Sequence, residues 1–166
     1  MVFIIEAKEQ VLNAPIGITG IIKEYGFVPK DENERKKWEM KNIIEFKLPD
    51  YLKASWDYRL RIKKLRIHKK LQNIFEITFY RLYTECWDYI LDCGGAYNYR
   101  NKSSNTYQLS THSWGIAIDL NVKENAFGKK PKINKKIVKI FEDIGWTWGG
   151  RWEIPDGMHF QFAKNY

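Results

Sequence analysis

The sequence is short of cysteine, short of histidine and without long hydrophobic runs, and each shortage excludes something. Cys86 and Cys93 are its only cysteines. Two cannot build a disulfide framework, and they lack the C-x-x-C spacing of closed zinc sites. They are expected to be free, partly buried thiols, with a Cys86–Cys93 disulfide as the alternative. No apolar run approaches the roughly 20 residues of a membrane-spanning helix, so no transmembrane segment is expected. A secretory leader is not expected either. Met1-Val2-Phe3-Ile4-Ile5 is apolar, but no basic residue precedes it and Glu6 follows directly. Repeats and low-complexity tracts are also missing.

What is present is ample apolar and aromatic material. Of 166 residues (19.9 kDa), 44% are hydrophobic, with 7 Trp, 10 Tyr and 9 Phe. Disordered chains are poor in both, so a packed core is expected. The length suits one compact domain. Residues 1–60 read as an N-terminal extension packed on a core of residues 61–166. A net charge of +8 and a pI near 9.3 suggest an anionic partner: nucleic acid, a membrane surface or an acidic wall polymer. No helix-turn-helix, zinc-finger or RNA-binding signature accompanies the basic run from Arg59 to Lys70, so specific nucleic-acid binding is not expected. A solvated face is the simplest reading of that run, and attraction to anionic wall polymers is the functional one.

Gly17, Gly20, Gly26, Pro15 and Pro29 break residues 1–30 into short elements and turns. Residues 30–41, charged in both signs, read as a solvated loop or a short surface helix. Asn42–Leu48 reads as a short strand ending at Pro49. A long helix is expected from about Arg61 to Tyr89, because Leu71, Ile74, Phe75, Thr78, Leu82, Cys86 and Tyr89 recur at three- and four-residue steps. Gly94-Gly95 then ends it or marks the following turn. His68, in the basic start of that segment, is expected to be solvated. A second helix is expected over Asn134–Ile144, capped by Gly145.

Elsewhere the period becomes two. In Gly115–Val122, Ile116, Ile118, Leu120 and Val122 share one side, with Ala117, Asp119 and Asn121 on the other. Met158, Phe160 and Phe162 alternate with His159 and Gln161. The fold class is therefore α+β, a small antiparallel or mixed sheet packed on helices.

His68, His112 and His159 are the only histidines. Asp119 and His159 each hold a polar position in an otherwise apolar alternation. Burying a carboxylate and an imidazole is costly unless they pair or bind a metal. If the two strands are neighbours, His112 can join from the turn before Asp119. Two His and one carboxylate, with a fourth position left to water, is the composition of a catalytic zinc site. Asp156, on a Pro155/Gly157 turn three residues before His159, is placed to act as general base without binding the metal. Arg100 is the best-placed cation to stabilise an oxyanion. Trp146, Trp148 and Trp152 read as core or pocket wall.

Ser110-x-His112-x-x-Gly115-x-Ala117-x-Asp119, followed by Trp148-Gly149-Gly150-x-Trp152 and Asp156-x-x-His159-Phe160, resembles the M15 zinc peptidases over roughly residues 60–163. These include D-alanyl-D-alanine carboxypeptidases and dipeptidases, and the L-alanyl-D-glutamate endopeptidases of phage endolysins and bacterial wall enzymes. The resemblance implies a small α+β domain and a Zn2+ held by His112, Asp119 and His159. It implies Asp156 as base, Arg100 as the arginine that binds or polarises substrate, and Ser110 as a supporting contact. Two departures are visible: Asp156 stands where the dipeptidase branch carries Glu, and Gln161 where several endolysins carry Glu.

The implied substrate is the stem peptide of peptidoglycan, with L-Ala–D-Glu as the expected bond and the terminal D-Ala–D-Ala bond as the alternative. An inactive zinc-containing wall-binding module is the alternative of another class. The chain is expected to be a monomer acting on the cell wall, delivered by phage lysis, prophage release or another route.

Overall fold

The computed structural model describes residues 14–103 and 105–166. The apolar Met1–Ile5 segment, which bears on the expectation of no leader, lies outside the described residues. Ile16 bridges to Lys164 just before helix α1 (Gly17–Tyr25). Helix α2 (Glu32–Asn42) follows, where a loop or short surface helix was expected; the Asp31 side chain caps it by accepting from the Glu34 N–H at 2.9 Å. Strands β1 (Ile43–Lys53) and β2 (Arg61–His68) form an antiparallel hairpin. Their register shifts between Lys47 and Leu52. Pro49 falls in that interval and has no N–H to give to a ladder.

The long helix expected from Arg61 is therefore only partly present. Residues Arg61–His68 are strand β2, and helix α3 spans Gln72–Glu85. The apolar stripe that argued for a helix began at Leu71; upstream of it the pattern has period two. Leu65 and Ile67 are buried while Lys64 and Arg66 point to solvent. A single strand of mixed polarity is stabilised by its hairpin partner, which local periodicity does not register. Several of the basic side chains of this stretch are paired, Lys64 with Glu45, Arg66 with Glu39 and Lys70 with Glu24. His68, expected in solvent, is only 1% exposed, with its ring edge-on to Tyr25 at 4.9 Å.

The second sheet is antiparallel, in the order β3-β4-β6-β5. Its strands are β3 (Cys93–Gly95), β4 (Ala117–Leu120), β5 (Thr147–Trp148) and β6 (His159–Gln161). Gly94-Gly95 thus belongs to an edge strand. Helix α4 (Lys135–Ile144) buries Ile137, Val138, Ile140, Phe141 and Ile144 against the sheet and α3. Phe141 stacks on Phe160 of β6 with ring centroids 4.0 Å apart. Five such side chains, at about 1.5–3 kcal/mol each, outweigh the roughly 1 kcal/mol of the Asn134 cap. Phe75, Phe79 and Trp146 join the same aromatic core. Cys86 and Cys93 are free and buried. Among the described residues, no helix is long and apolar enough to cross a membrane.

Candidate metal centre

Register brings the site together. β4 pairs with β6 so that Asp119 lies opposite His159, and β3 pairs with β4 so that Gly95 lies opposite Asp119. Both faces of β4 are buried: Ile118 and Leu120 enter the core and Asp119 turns to the site. His112 arrives from the short 3-10 turn Thr111–Trp114. The Ser110 hydroxyl accepts from the His112 N–H at 3.4 Å, and Trp114 Nε1 donates to the Gly26 carbonyl at 2.8 Å. The turn closes at Gly115, whose φ of +68° and contact with β2 both require glycine: a Cβ there would stand 2.8 Å from the His68 nitrogen.

His112 Nε2, Asp119 Oδ1 and His159 Nδ1 form a nearly equilateral triangle. Its sides are 3.1 Å (His112–Asp119), 3.1 Å (His159–Asp119) and 3.2 Å (His112–His159). All three residues are buried. The outer nitrogen of each imidazole is already committed. His112 Nδ1 faces the Ala96 carbonyl at 2.5 Å, which can only accept, so this nitrogen carries the proton. His159 Nε2 faces Gln161 Oε1 at 3.1 Å. The amide is held in that orientation because Gln161 Nε2 donates to the carbonyls of Ala163 and Tyr166. Thr111 Oγ1 donates to the same Gln161 oxygen at 3.1 Å.

With both rings neutral, each imidazole turns a lone pair toward the Asp119 carboxylate. Three buried acceptors at this spacing are costly unless a cation lies among them. Tetrahedral zinc, with ligand bonds of about 2.0–2.1 Å, separates its ligand atoms by about 3.3 Å. The donor types and spacing fit that ion, and these three residues could hold a metal. Burial opposes ionisation of Asp119, but His112 and His159 beside it hold its carboxyl well below the usual carboxylate range. Burial likewise opposes protonation of His159, yet Asp119 raises its pKa.

Asp156 follows on the loop after β5. Its N–H donates to the Gly149 carbonyl at 2.9 Å, and Trp148 Nε1 donates to the Gly157 carbonyl at 2.9 Å. A Cβ on Gly149 would stand 2.7 Å from the Asp156 carbonyl oxygen, so the two backbone segments approach too closely for any other residue. Asp156 Oδ1 is buried and has no hydrogen-bond partner among the described residues. Burial raises the Asp156 pKa; His159, His112 and Arg100 pull it down, and Asp119 adds to the rise.

Arg100, Ser110, Asp156 and His159 line one cleft of about 180 Å³, with Trp152 as part of its wall. The Trp152 ring lies 5.5 Å from that of His159. Arg100 is positioned through its backbone: its N–H donates to Ser113 Oγ at 3.0 Å, and its carbonyl accepts from Ser113 Oγ and the Ser110 N–H, each at 2.9 Å. The structure thus brings all six residues singled out in the sequence to one place. It adds Gln161, Thr111 and the Ala96 carbonyl, which orient the imidazoles. Gln161 had left one signal: it shares the polar side of the β6 alternation with His159.

Residues 103–162 match the M15 peptidase family model described as D-alanyl-D-alanine carboxypeptidase. The matched segment is just over a third of the chain and contains His112, Asp119, Asp156 and His159. It supports a peptidase of this kind. No curated relative and no solved structure matches the chain.

Proposed function

We propose that this protein is a zinc-dependent peptidase that hydrolyses an amide bond in the stem peptides of peptidoglycan. The observation that carries this reading is the buried His112–Asp119–His159 triangle, whose two imidazole lone pairs converge on one carboxylate oxygen. These three side chains are the ligands. Held there, zinc supplies a Lewis acid that polarises the scissile carbonyl and lowers the pKa of a bound water.

The chain's own residues do the rest. Asp156, with an unpartnered buried oxygen beside the cleft, takes a proton from the attacking water and passes it to the leaving amine. Its raised pKa suits a group that must both accept and donate. Arg100, on the same cleft, faces the oxyanion that develops on the carbonyl. Ser110 holds the His112 turn and lines the wall. Gln161 and the Ala96 carbonyl keep the imidazoles in the ligating tautomer.

The bond we favour is L-Ala–D-Glu. The cleft shares Trp152, Gln161 and Tyr166 with a second hollow of about 570 Å³, bordered by Thr147 and Lys164; a groove that continues past the reacting centre suits an endopeptidase. The description of the matching family model favours the second reading, a D-alanyl-D-alanine carboxypeptidase. Either activity is exercised at the cell wall.

Digestion of purified peptidoglycan with and without chelator, with mass spectrometry of the released peptides, tests both. New D-Glu amino termini identify the endopeptidase, and loss of one terminal D-Ala the carboxypeptidase. No chelator-sensitive product of either kind would overturn the reading.

A further inference from the structure

Two cations, Arg100 and Lys102, line the cleft that holds Asp156 and His159, and Asp156 is the only acid among the described residues lining it. No carboxylate pairs with either cation among the described residues; several surface lysines also lack one, and what sets these two apart is their place on the cleft.

Lys102 is half-buried and fixed in place. Its Nζ lies 3.4 Å from the centroid of the Tyr166 ring and donates to Gln108 Oε1 at 3.1 Å. Its backbone N–H donates to the Gln108 carbonyl at 2.8 Å, and Asn101 bridges to Leu109 at the base of the same loop. Tyr166 is itself anchored: its hydroxyl donates to the Leu109 carbonyl at 2.7 Å, and its carbonyl accepts from Gln161 Nε2 at 3.1 Å. Gln161 in turn holds His159. The ammonium is thus held at a set place relative to the candidate metal centre, partly stripped of water and with no counter-charge among the described residues. A desolvated cation of this kind gains most from an anion that enters the cleft.

We propose that Lys102 is a specificity-determining residue that binds a free carboxylate of the substrate, on the residue whose amine is released. This rests on the peptidase reading for the identity of the substrate. Both bonds considered above share that chemistry. A terminal D-Ala carries a free α-carboxylate, and a D-Glu linked onward through its γ-carboxyl does too.

The test crosses a change in the protein with a change in the ligand, which isolates the pairwise interaction. Two ligand pairs are used: Ac-L-Ala-γ-D-Glu-L-Lys-amide with a free α-carboxylate or an α-carboxamide, and Ac-L-Lys(Ac)-D-Ala-D-Ala as the acid or its terminal amide. Calorimetric binding is measured on the metal-free full chain, so that no turnover intervenes. For at least one pair, the wild type should bind the acid ten-fold or more tighter than the amide. Lys102→Met should bring that ratio within two-fold, leaving amide binding and the melting temperature unchanged; Lys102→Arg should keep most of the preference. The pair that shows it identifies which carboxylate is read.

A Lys102→Met that weakens acid and amide equally would reveal a structural role and overturn the proposal. So would a wild type that prefers neither acid. Hydrolysis and zinc content are scored separately on the zinc-loaded protein. Failure there, with the binding ratio intact, removes the peptidase reading and still supports Lys102 as a carboxylate site.

Discussion

Gln161 Oε1 lies 3.1 Å from His159 Nε2, across the ring from the nitrogen that meets Asp119. The amide accepts the Nε2 proton and so turns the Nδ1 lone pair inward. Gln161→Leu removes this acceptor while keeping the volume. Zinc affinity should fall about 10–100-fold, the range for lost partners of metal ligands. Competition against a chromophoric chelator measures it, with circular dichroism confirming the fold; unchanged affinity would mean that Gln161 does not set the tautomer.

Zinc should bind one per chain, and His112→Ala or Asp119→Asn should abolish that binding. Because the ion binds the folded chain, saturation at 100 times Kd should stabilise it by about 2.7 kcal/mol. Thermal melts with and without chelator read this directly. Equal melting temperatures in both would count against a metal at this triangle.

Asp156→Asn keeps the shape of the side chain and removes the proton acceptor. Turnover should fall by about 10²–10⁴, the usual contribution of a general base, with zinc content unchanged. Steady-state rates paired with metal analysis separate this from loss of the ion.

Gly149→Ala places a methyl group 2.7 Å from the Asp156 carbonyl oxygen. The loop carrying Asp156 must shift, so activity should drop at least ten-fold, because catalysis tolerates little displacement of its proton carrier. Zinc binding, which uses other strands, should survive. Full activity in this variant would show that the loop can move without consequence.

His68 gives a pH signature remote from the cleft. Burial pushes its imidazole down to about 4 from an ordinary value of 6.5. The unfolded chain therefore takes up a proton between pH 6.5 and 4 that the folded chain refuses. Stability linked to His68 is intact above pH 6.5 and is lost progressively as the pH falls toward 4, by about 3 kcal/mol in all. Urea unfolding at pH 7 and pH 4 should show a larger loss for the wild type than for His68→Gln, by about that amount. Equal losses would place the acid sensitivity elsewhere.

Much of the candidate site was legible in the residues themselves. Asp119 and His159 stood out because a carboxylate and an imidazole at polar positions of apolar alternations need a reason to be buried, and His112 joined them from the turn before Asp119. The α4 stripe and the β4 and β6 alternations were readable because their signals are local, repeating every three to four residues or every two. The helix expected from Arg61 failed at its basic start, where strand β2 depends on pairing with β1. His68 was misjudged with it, since its burial comes from Tyr25, Trp38 and Gly115, each far away in the chain.

By itself, the amino-acid order determined which donors this protein has and the chemistry they suit. Only tertiary structure decided that Asp119 lies opposite His159, that Ala96 and Gln161 orient the two imidazoles, and that the Lys102 ammonium rests on Tyr166. Chemical type belongs to a residue wherever it sits; a shared register, a tautomer or a missing counter-charge exists only once distant segments are held against one another.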